Sequence, residues 1–305
     1  MSAPSSTIIK RVAEIIGAEP ERWLRVEGGY TPAARWVIES PRGSAFVKVA
    51  TTPLSAEALS REIAAYSAIR GNFIPRLVGM SPDIAEPILI IENLSDAIWP
   101  PPWTTDLVRK VRIALDALHD TRSDVPQFAA VHAKSDFGWS EVERNPAPFL
   151  SLELAGKDWL DRALPALLEA EMACDTSGAS LTHWDIRSDN ICITNGAVKF
   201  IDWGGACLSN PKLDTGFWLP SLAFEGGPLP EDILPDEPGI AAWVSGFFAC
   251  KAGLPTIPDA PRVRQVQRAQ LSTALPWAVR ALGLSQPESA RSQTFFVRSR
   301  ICENK

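Results

Sequence analysis

At 305 residues, with 46% apolar and 22% charged side chains, the chain has the composition of a soluble globular protein long enough for two lobes, which excludes a disordered chain. A formal net charge of −6 argues against a nucleic-acid partner, because phosphate binding draws on clustered excess Lys and Arg. The N-terminus carries no apolar core of signal-peptide length and no later run approaches the about 18 apolar residues of a membrane span, so a cytoplasmic protein with no membrane partner is expected.

In chain order, Ser5 or Ser6 caps an amphipathic helix through Ile8, Ile9, Val12, Ile15 and Ile16, which Gly17 ends. Three candidate strands follow, WLRVEGG, ARWVIES and SAFVKVA. The turns between them are Gly28-Gly29-Tyr30-Thr31-Pro32 and Pro41-Arg42-Gly43. Lys48 sits among apolar residues of the third strand, where burial would be costly without a partner. It is either an exposed strand lysine or one half of a pair. The spacing next predicts a helix from about Ser55 to Arg70, with Ser55 as cap and Ala56, Leu59, Ile63, Tyr66 and Ile69 on its apolar face. Glu57 and Glu62 lie on that helix within reach of Lys48, and Glu62 is mid-helix.

FIPRLVGMSPD and PILIIENLSD read as two further strands, with Pro82-Asp83 in the turn. The run WPPPW, Trp99 to Trp103, breaks regular structure and sets the expected domain boundary between 1–98 and 99–305. TTDLVRKVRIALDALHD then forms a capped amphipathic helix ending near His119; His119 and His132, without metal-ligand spacing, read as structural or surface residues. Residues 121–150 read as irregular. AGKDWLDRALPALLEAEMAC reads as a helix bent at Pro165, with Asp158, Asp161, Glu169 and Glu171 on a solvated face. Five scattered cysteines, Cys174, Cys192, Cys207, Cys250 and Cys302, with no C-x-x-C, read as reduced thiols.

The densest chemistry lies in LTHWDIRSDNICITNGAVKFIDWGG, residues 181–205. ICIT and AVKFI are short strands joined at Thr194-Asn195-Gly196, and Asn-Gly is the strongest short hairpin signal. The hairpin carries Asp185 and Asn190 before its first strand and Asp202 after its second. Hard oxygen ligands of this kind suit Mg²⁺, which keeps several waters and binds substrate phosphates. A further carboxylate can then take the proton of an attacking hydroxyl.

HWDIRSDN followed by FIDWGG resembles the catalytic and metal-binding segments of the aminoglycoside phosphotransferase family, kinases that share the protein-kinase fold. The resemblance implies an α+β bilobal fold. An N-terminal antiparallel five-stranded sheet with one main helix precedes a mostly helical C-terminal lobe, with ATP and Mg²⁺ bound between them. It implies transfer of the γ-phosphoryl group to a hydroxyl of a small molecule, an aminoglycoside-like antibiotic or a hydroxylated metabolite. Asp185 would be the catalytic base, Asn190 and Asp202 the Mg²⁺ ligands and His183 the organiser of the loop. Lys48, paired with Glu62, would contact the ATP phosphates. Gly28 and Gly29 would cover those phosphates with backbone amides, unless they form a bare hairpin turn. Glu92, Asn93 and Leu94 would lie where the backbone meets adenine. Arg187 either contacts the transferring phosphate or pairs with a nearby acid.

One position departs from the family: Trp184 stands where a glycine is usual, so the backbone there is expected to leave the glycine conformation unless the loop has room for an indole. A protein kinase fits less well, since no A-P-E-like segment follows Asp202-Trp203-Gly204. A non-catalytic nucleotide-binding scaffold would be marked by loss of Lys48, Asp185 or Asp202, and all three are present. Asp214 either braces the catalytic loop, as in the family, or caps a helix. Further helices are expected near Gly239 to Ala252, Ala260 to Leu284 and Glu288 to Ile301. Asp214, Glu225, Glu231, Asp232, Asp236 and Glu237 form a stretch without Lys or Arg, followed by an arginine-rich one. The two either neutralise each other or leave carboxylates to attract an amine-bearing acceptor.

Overall fold

The structure is a computed structural model that describes residues 4–29, 32–132, 138–258 and 260–288. The described residues group into two compact units. One lies within Met1–Val131, Ser177–Asp214 and Pro258–Ala260, the other within His132–Thr176, Thr215–Ile257 and Pro261–Lys305.

The first unit opens with α1 (Ser6–Ile16), capped by the Ser5 hydroxyl, which accepts from the Ile8 amide at 3.3 Å, and closed by Gly17 in the left-handed region. Its apolar stripe buries Val12 and Ile16 against Ile38, Val47 and Ile90 of a five-stranded antiparallel sheet. The strands are β1 (Arg22–Arg25), β2 (Ala33–Ser40), β3 (Gly43–Ala50), then after α2 (Pro53–Ala68) β4 (Leu77–Ser81) and β5 (Ile88–Glu92), in the order β1-β2-β3-β5-β4. Because α2 also packs on β3 and β5, the central strands are covered by helices and read as nearly continuous apolar runs. The cap of α2 is Thr52, not Ser55. Its hydroxyl accepts from the Ser55 amide while Ser55 Oγ accepts from the Thr52 amide, and Pro53, whose missing N–H costs nothing at the first turn, moves the start two residues back.

Next come α3 (Thr105–His119), capped by Thr104, and α4 (Phe128–Val131). Strand β6 (Ser180–Thr182) pairs with β9 (Cys207–Ser209), so the chain that leaves at Thr182 returns beside it at Cys207. Within that closed loop β7 (Ile191–Thr194) and β8 (Ala197–Phe200) form the expected hairpin. Asn195 and Gly196 have φ values of 51° and 78°, the two positive angles that its tight turn needs.

The second unit is helical: α5 (Trp139–Arg144), α6 (Ala147–Leu150), α7 (Lys157–Ala173), the greater part of α8 (Pro211–Phe224), whose first turn with Asp214 belongs to the first unit, α9 (Pro230–Ile233), α10 (Pro238–Ala252) and α11 (Val263–Ala281). α10 is apolar all round and is the core helix, packed by α5, α6, α7 and α11. Three short helices, α4 to α6, occupy the stretch read as irregular from its prolines and glycines. They are too short to show a helical period. Glu171 is not on a solvated face. It receives the Trp139 amide at 2.9 Å and so caps α5, whose own N-terminal residue, Gly138, has no side chain to do so. Burial pushes its carboxyl up to about 7 against those backbone donors. Cys174, Cys192, Cys207 and Cys250 are free thiols. No helix among the described residues is long and apolar enough to cross a membrane. Of the expected C-terminal helix, residues 289–301 lie outside the described residues, as do Tyr30 and Thr31.

Candidate active site

All the candidate residues belong to the first unit. Lys48 is 8% exposed, which excludes the surface lysine. Its Nζ lies 2.7 Å from Oε2 of Glu62 and 2.5 Å from Oδ1 of Asp202. Burial alone would discharge the lysine; Asp202 and then Glu62 outweigh it and hold the ammonium charged well above its ordinary range. The other acid of α2, Glu57, pairs with Arg61 at the surface. Asp202 itself sits at the end of β8 in the left-handed region (φ 64°, ψ 57°). Burial would raise its carboxyl, but Lys48 foremost, with Arg35 and Arg187, brings it down to about 2.

Asp185 is fixed from three directions. Its amide donates to His183 Nδ1 at 3.2 Å, Asn190 Nδ2 donates to its carbonyl at 2.8 Å and to Oδ2 at 3.0 Å, and Arg187 Nη1 pairs with Oδ1 at 2.9 Å. Arg187 also reaches Asp189 at 3.0 Å, so here it pairs with acids on its own loop. Burial pushes the Asp185 carboxyl up to about 7, with Arg187 opposing; 41% of the side chain stays open, and solvent at that edge tempers the rise. His183 is fully buried, and burial lowers its imidazole to about 4. With Nδ1 accepting from Asp185, the proton belongs on Nε2, which donates to the Ile201 carbonyl at 2.9 Å. The neutral ring thus ties the strand before Asp202 to the loop carrying Asp185.

Asp214 is a brace and not a helix cap, since α8 begins at Pro211. Its Oδ2 accepts the His183 amide and its Oδ1 the Trp184 amide, both at 2.7 Å, and His119 Nε2 lies 3.3 Å from Oδ2. His119 is therefore structural, a partner that no spacing along the chain marks. Of the two outcomes left open for Trp184, the structure shows the second: it keeps a glycine-like backbone, φ 66°. The loop has the room: the indole stacks on Phe128 with ring centroids 4.5 Å apart, and Gly205 clears its other side, where a Cβ would come within 3.2 Å of Trp184 Cβ. The two amide bonds to Asp214 hold the loop in place while the indole gains its packing.

Gly28 and Gly29 have φ values of 124° and 76°. Glu92 accepts the Arg76 amide at 2.8 Å, Asn93 Nδ2 donates to Ser44 Oγ at 2.9 Å, and the Leu94 carbonyl accepts from Ala97 at 3.0 Å, so both polar side chains there fix the strand end. In the acidic stretch, Glu231 pairs with Arg280 (3.0 Å between Oε2 and Nη2) and Asp232 accepts the Leu229 amide at 3.1 Å, which spends both carboxylates on structure. Sequence reasoning missed Arg35. Its signal was a cation within an apolar strand, and the structure sets it in register with Lys48.

A five-stranded sheet carrying a buried lysine–glutamate pair, together with a braced loop and hairpin presenting Asp185, Asn190 and Asp202, defines a kinase-like fold. The model of the phosphotransferase enzyme family, APH, matches residues 22–245, and the chain belongs to that family. No curated protein sequence matches it significantly. Among solved structures, an aminoglycoside phosphotransferase APH(4)-Ia mutant in ternary complex with AMP-PNP and hygromycin B is 14% identical with a TM-score of 0.55, over 91% of this chain and 98% of that one. A choline/ethanolamine kinase family protein from Mesorhizobium loti is 14% identical with a TM-score of 0.56, over 86% and 91%. The spectinomycin phosphotransferase APH(9)-Ia, in complex with ADP and spectinomycin, is 12% identical with a TM-score of 0.55, over 93% and 100%. At such identities the likeness is one of fold.

Proposed function

We propose that this phosphotransferase is a small-molecule kinase that moves the γ-phosphoryl group of ATP to a hydroxyl, with Mg²⁺. The observation that carries the reading is the buried Lys48 held at once by Glu62 and Asp202, since a cation so placed and kept charged is suited to nucleotide phosphates. In this reading residues 1–98 form the nucleotide lobe and 99–305 the catalytic and acceptor-binding lobe. Gly28 and Gly29 cover the phosphates, and the backbone of Glu92 to Leu94 meets the base.

The donor set fits magnesium. Asp202 stays ionised, and Asn190, whose Nδ2 is turned to Asp185, has its amide oxygen to offer. Among the described residues there is no group of three or more His, Cys, Asp or Glu side chains that would form an all-protein metal cage, so waters and phosphates would complete the shell. Bound there, the ion supplies charge neutralisation at the phosphate oxygens. The chain's own residues do the rest. Asp185 takes the acceptor's hydroxyl proton as the new O–P bond forms and the bond to the β-phosphate oxygen breaks, releasing ADP. Arg187 moves from its acids toward the transferring group or stays to tune the base. His183 and Asp214 keep Asp185 in place, and such positioning is the larger part of phosphoryl-transfer catalysis.

The acceptor is a hydroxyl-bearing small molecule, the class to which the hygromycin B and spectinomycin bound by two of the structural neighbours belong. The test is nucleotide consumption over a panel of aminoglycosides, other hydroxylated antibiotics and metabolites. Asp185→Asn is expected to keep Mg²⁺-dependent nucleotide binding and lose about 10² to 10⁴ in rate. Asp202→Ala is expected to weaken the binding itself. Consumption with no acceptor, or unchanged turnover in Asp185→Asn, overturns the reading.

A further inference from the structure

Arg35 lies in the first half of β2 directly opposite Lys48 of β3, and residues so paired project from the same face of the sheet. It is 8% exposed, as buried as Lys48. A buried arginine in an apolar strand is retained at a cost, so what surrounds its head is informative. Nη1 donates to the Ala33 carbonyl at 2.8 Å, which directs the guanidinium along β2 toward the loop of Gly28 and Gly29. Gly29 folds over it: a Cβ at that position would stand 2.5 Å from Nη2 and 2.7 Å from Cζ, and the glycine has φ 76°. The loop backbone and the guanidinium can lie this close only because residue 29 has no side chain. The charges of Asp202 and Glu62 act on the same group, opposing the effect of its burial, and Arg35 in turn helps to keep Asp202 ionised. The site thus sets two cations, Lys48 and Arg35, against two carboxylates, Glu62 and Asp202.

We propose that Arg35 is a second phosphate-binding cation of the nucleotide site, its planar fork taking polyphosphate oxygens beneath the Gly28–Gly29 loop while Lys48 remains committed to Glu62. The proposal rests on the reading of this site as a nucleotide site and adds a residue to it. A guanidinium presents its donors in a rigid fork that matches phosphate geometry, which a lysine does not. Under the proposal Arg35 contributes to affinity in proportion to the phosphates present and contributes nothing to the nucleoside.

The experiment is calorimetric titration of the full chain with adenosine, AMP, ADP and ATP, each with Mg²⁺, for the wild type, Arg35→Gln and Arg35→Lys. Arg35→Gln is expected to weaken ATP by about 10- to 100-fold, the worth of charge-assisted hydrogen bonds, and to leave adenosine within about twofold. Its ATP affinity is expected to fall less steeply with salt, and Arg35→Lys to recover part of the loss. Equal weakening of adenosine and ATP would make Arg35 a brace of the glycine loop and overturn the proposal, as would unchanged ATP affinity. Wild type that binds none of the four would instead overturn the nucleotide-site reading beneath it. Should Arg35→Gln fold poorly, Arg35→Met, an apolar side chain of similar length that removes the buried charge, is titrated in its place with the same expectations.

Discussion

Trp184 sets two effects against each other, and their sizes decide the outcome of restoring the family's usual residue. In Trp184→Gly the backbone at φ 66° is freed of a left-handed strain worth about 1–2 kcal/mol for a residue with a side chain. The indole, 7% exposed and stacked on Phe128, is lost at the same time, and truncating a buried aromatic of this size costs about 3–5 kcal/mol. Packing wins, and the variant is expected to lose about 2–3 kcal/mol, a fall in Tm of about 3–5 °C for a chain of this size. Trp184→Ala loses the same indole and keeps the strain, so it is expected to be less stable than the glycine variant by about 1 kcal/mol, the reverse of the usual order of Ala and Gly. Thermal and urea melts of the three proteins measure both differences. Turnover of the folded glycine variant is expected to stay within several-fold of wild type, because Asp214 still holds both loop amides. A glycine variant as stable as wild type, or an alanine variant more stable than the glycine one, would refute the account of this position.

Asp214→Ala leaves the His183 and Trp184 amides without their acceptor, at about 1–3 kcal/mol for each buried donor, and is expected to lower turnover more than nucleotide affinity; kinetics beside calorimetry check this, and Asp214→Asn falls between. Since burial raises the Asp185 carboxyl to about 7, the acid limb of kcat/KM is expected well above the ordinary carboxylate range. Arg187 opposes that rise, so Arg187→Gln moves the limb to higher pH; a limb below about pH 5, or one that does not move, counts against Asp185 as the base. The same shift has a stability consequence. The folded state holds this proton more tightly than the unfolded one between about 4 and 7, so the contribution of Asp185 to stability is present below that window and is lost as pH rises through it. Asp185→Asn removes the penalty, and the Tm difference between variant and wild type is expected to shift in the variant's favour from pH 5 to pH 8; the opposite trend would deny the raised value.

The sequence by itself determined the parts whose causes are local. Asn195-Gly196 dictated the tight turn of the hairpin because only such residues take two positive φ angles cheaply, and Ser5 with Gly17 bounded α1 for equally local reasons. The spacing of Asp185, Asn190 and Asp202 was likewise legible, since it depends only on the hairpin between them. Local rules also misplaced the start of α2, where Pro53 made Thr52 a better cap than Ser55, and passed over α4 to α6, which are too short to carry a period. What only the tertiary structure decided is which charges meet. Glu62, favoured on the sequence, proved the partner of Lys48, whereas Asp214 as brace over cap, His119 beside it and Glu171 as the cap of α5 all depend on side chains far apart in sequence, and Arg35 under Gly29 depends on how the loop folds back. Trp184 shows the same division: its residue type argued against a glycine conformation, and Phe128 with Gly205, neither of them near it in the chain, made that conformation the better packed one. The reason is that electrostatic and packing energies depend on distance in space, and chain spacing fixes that distance only within a single turn, helix or hairpin.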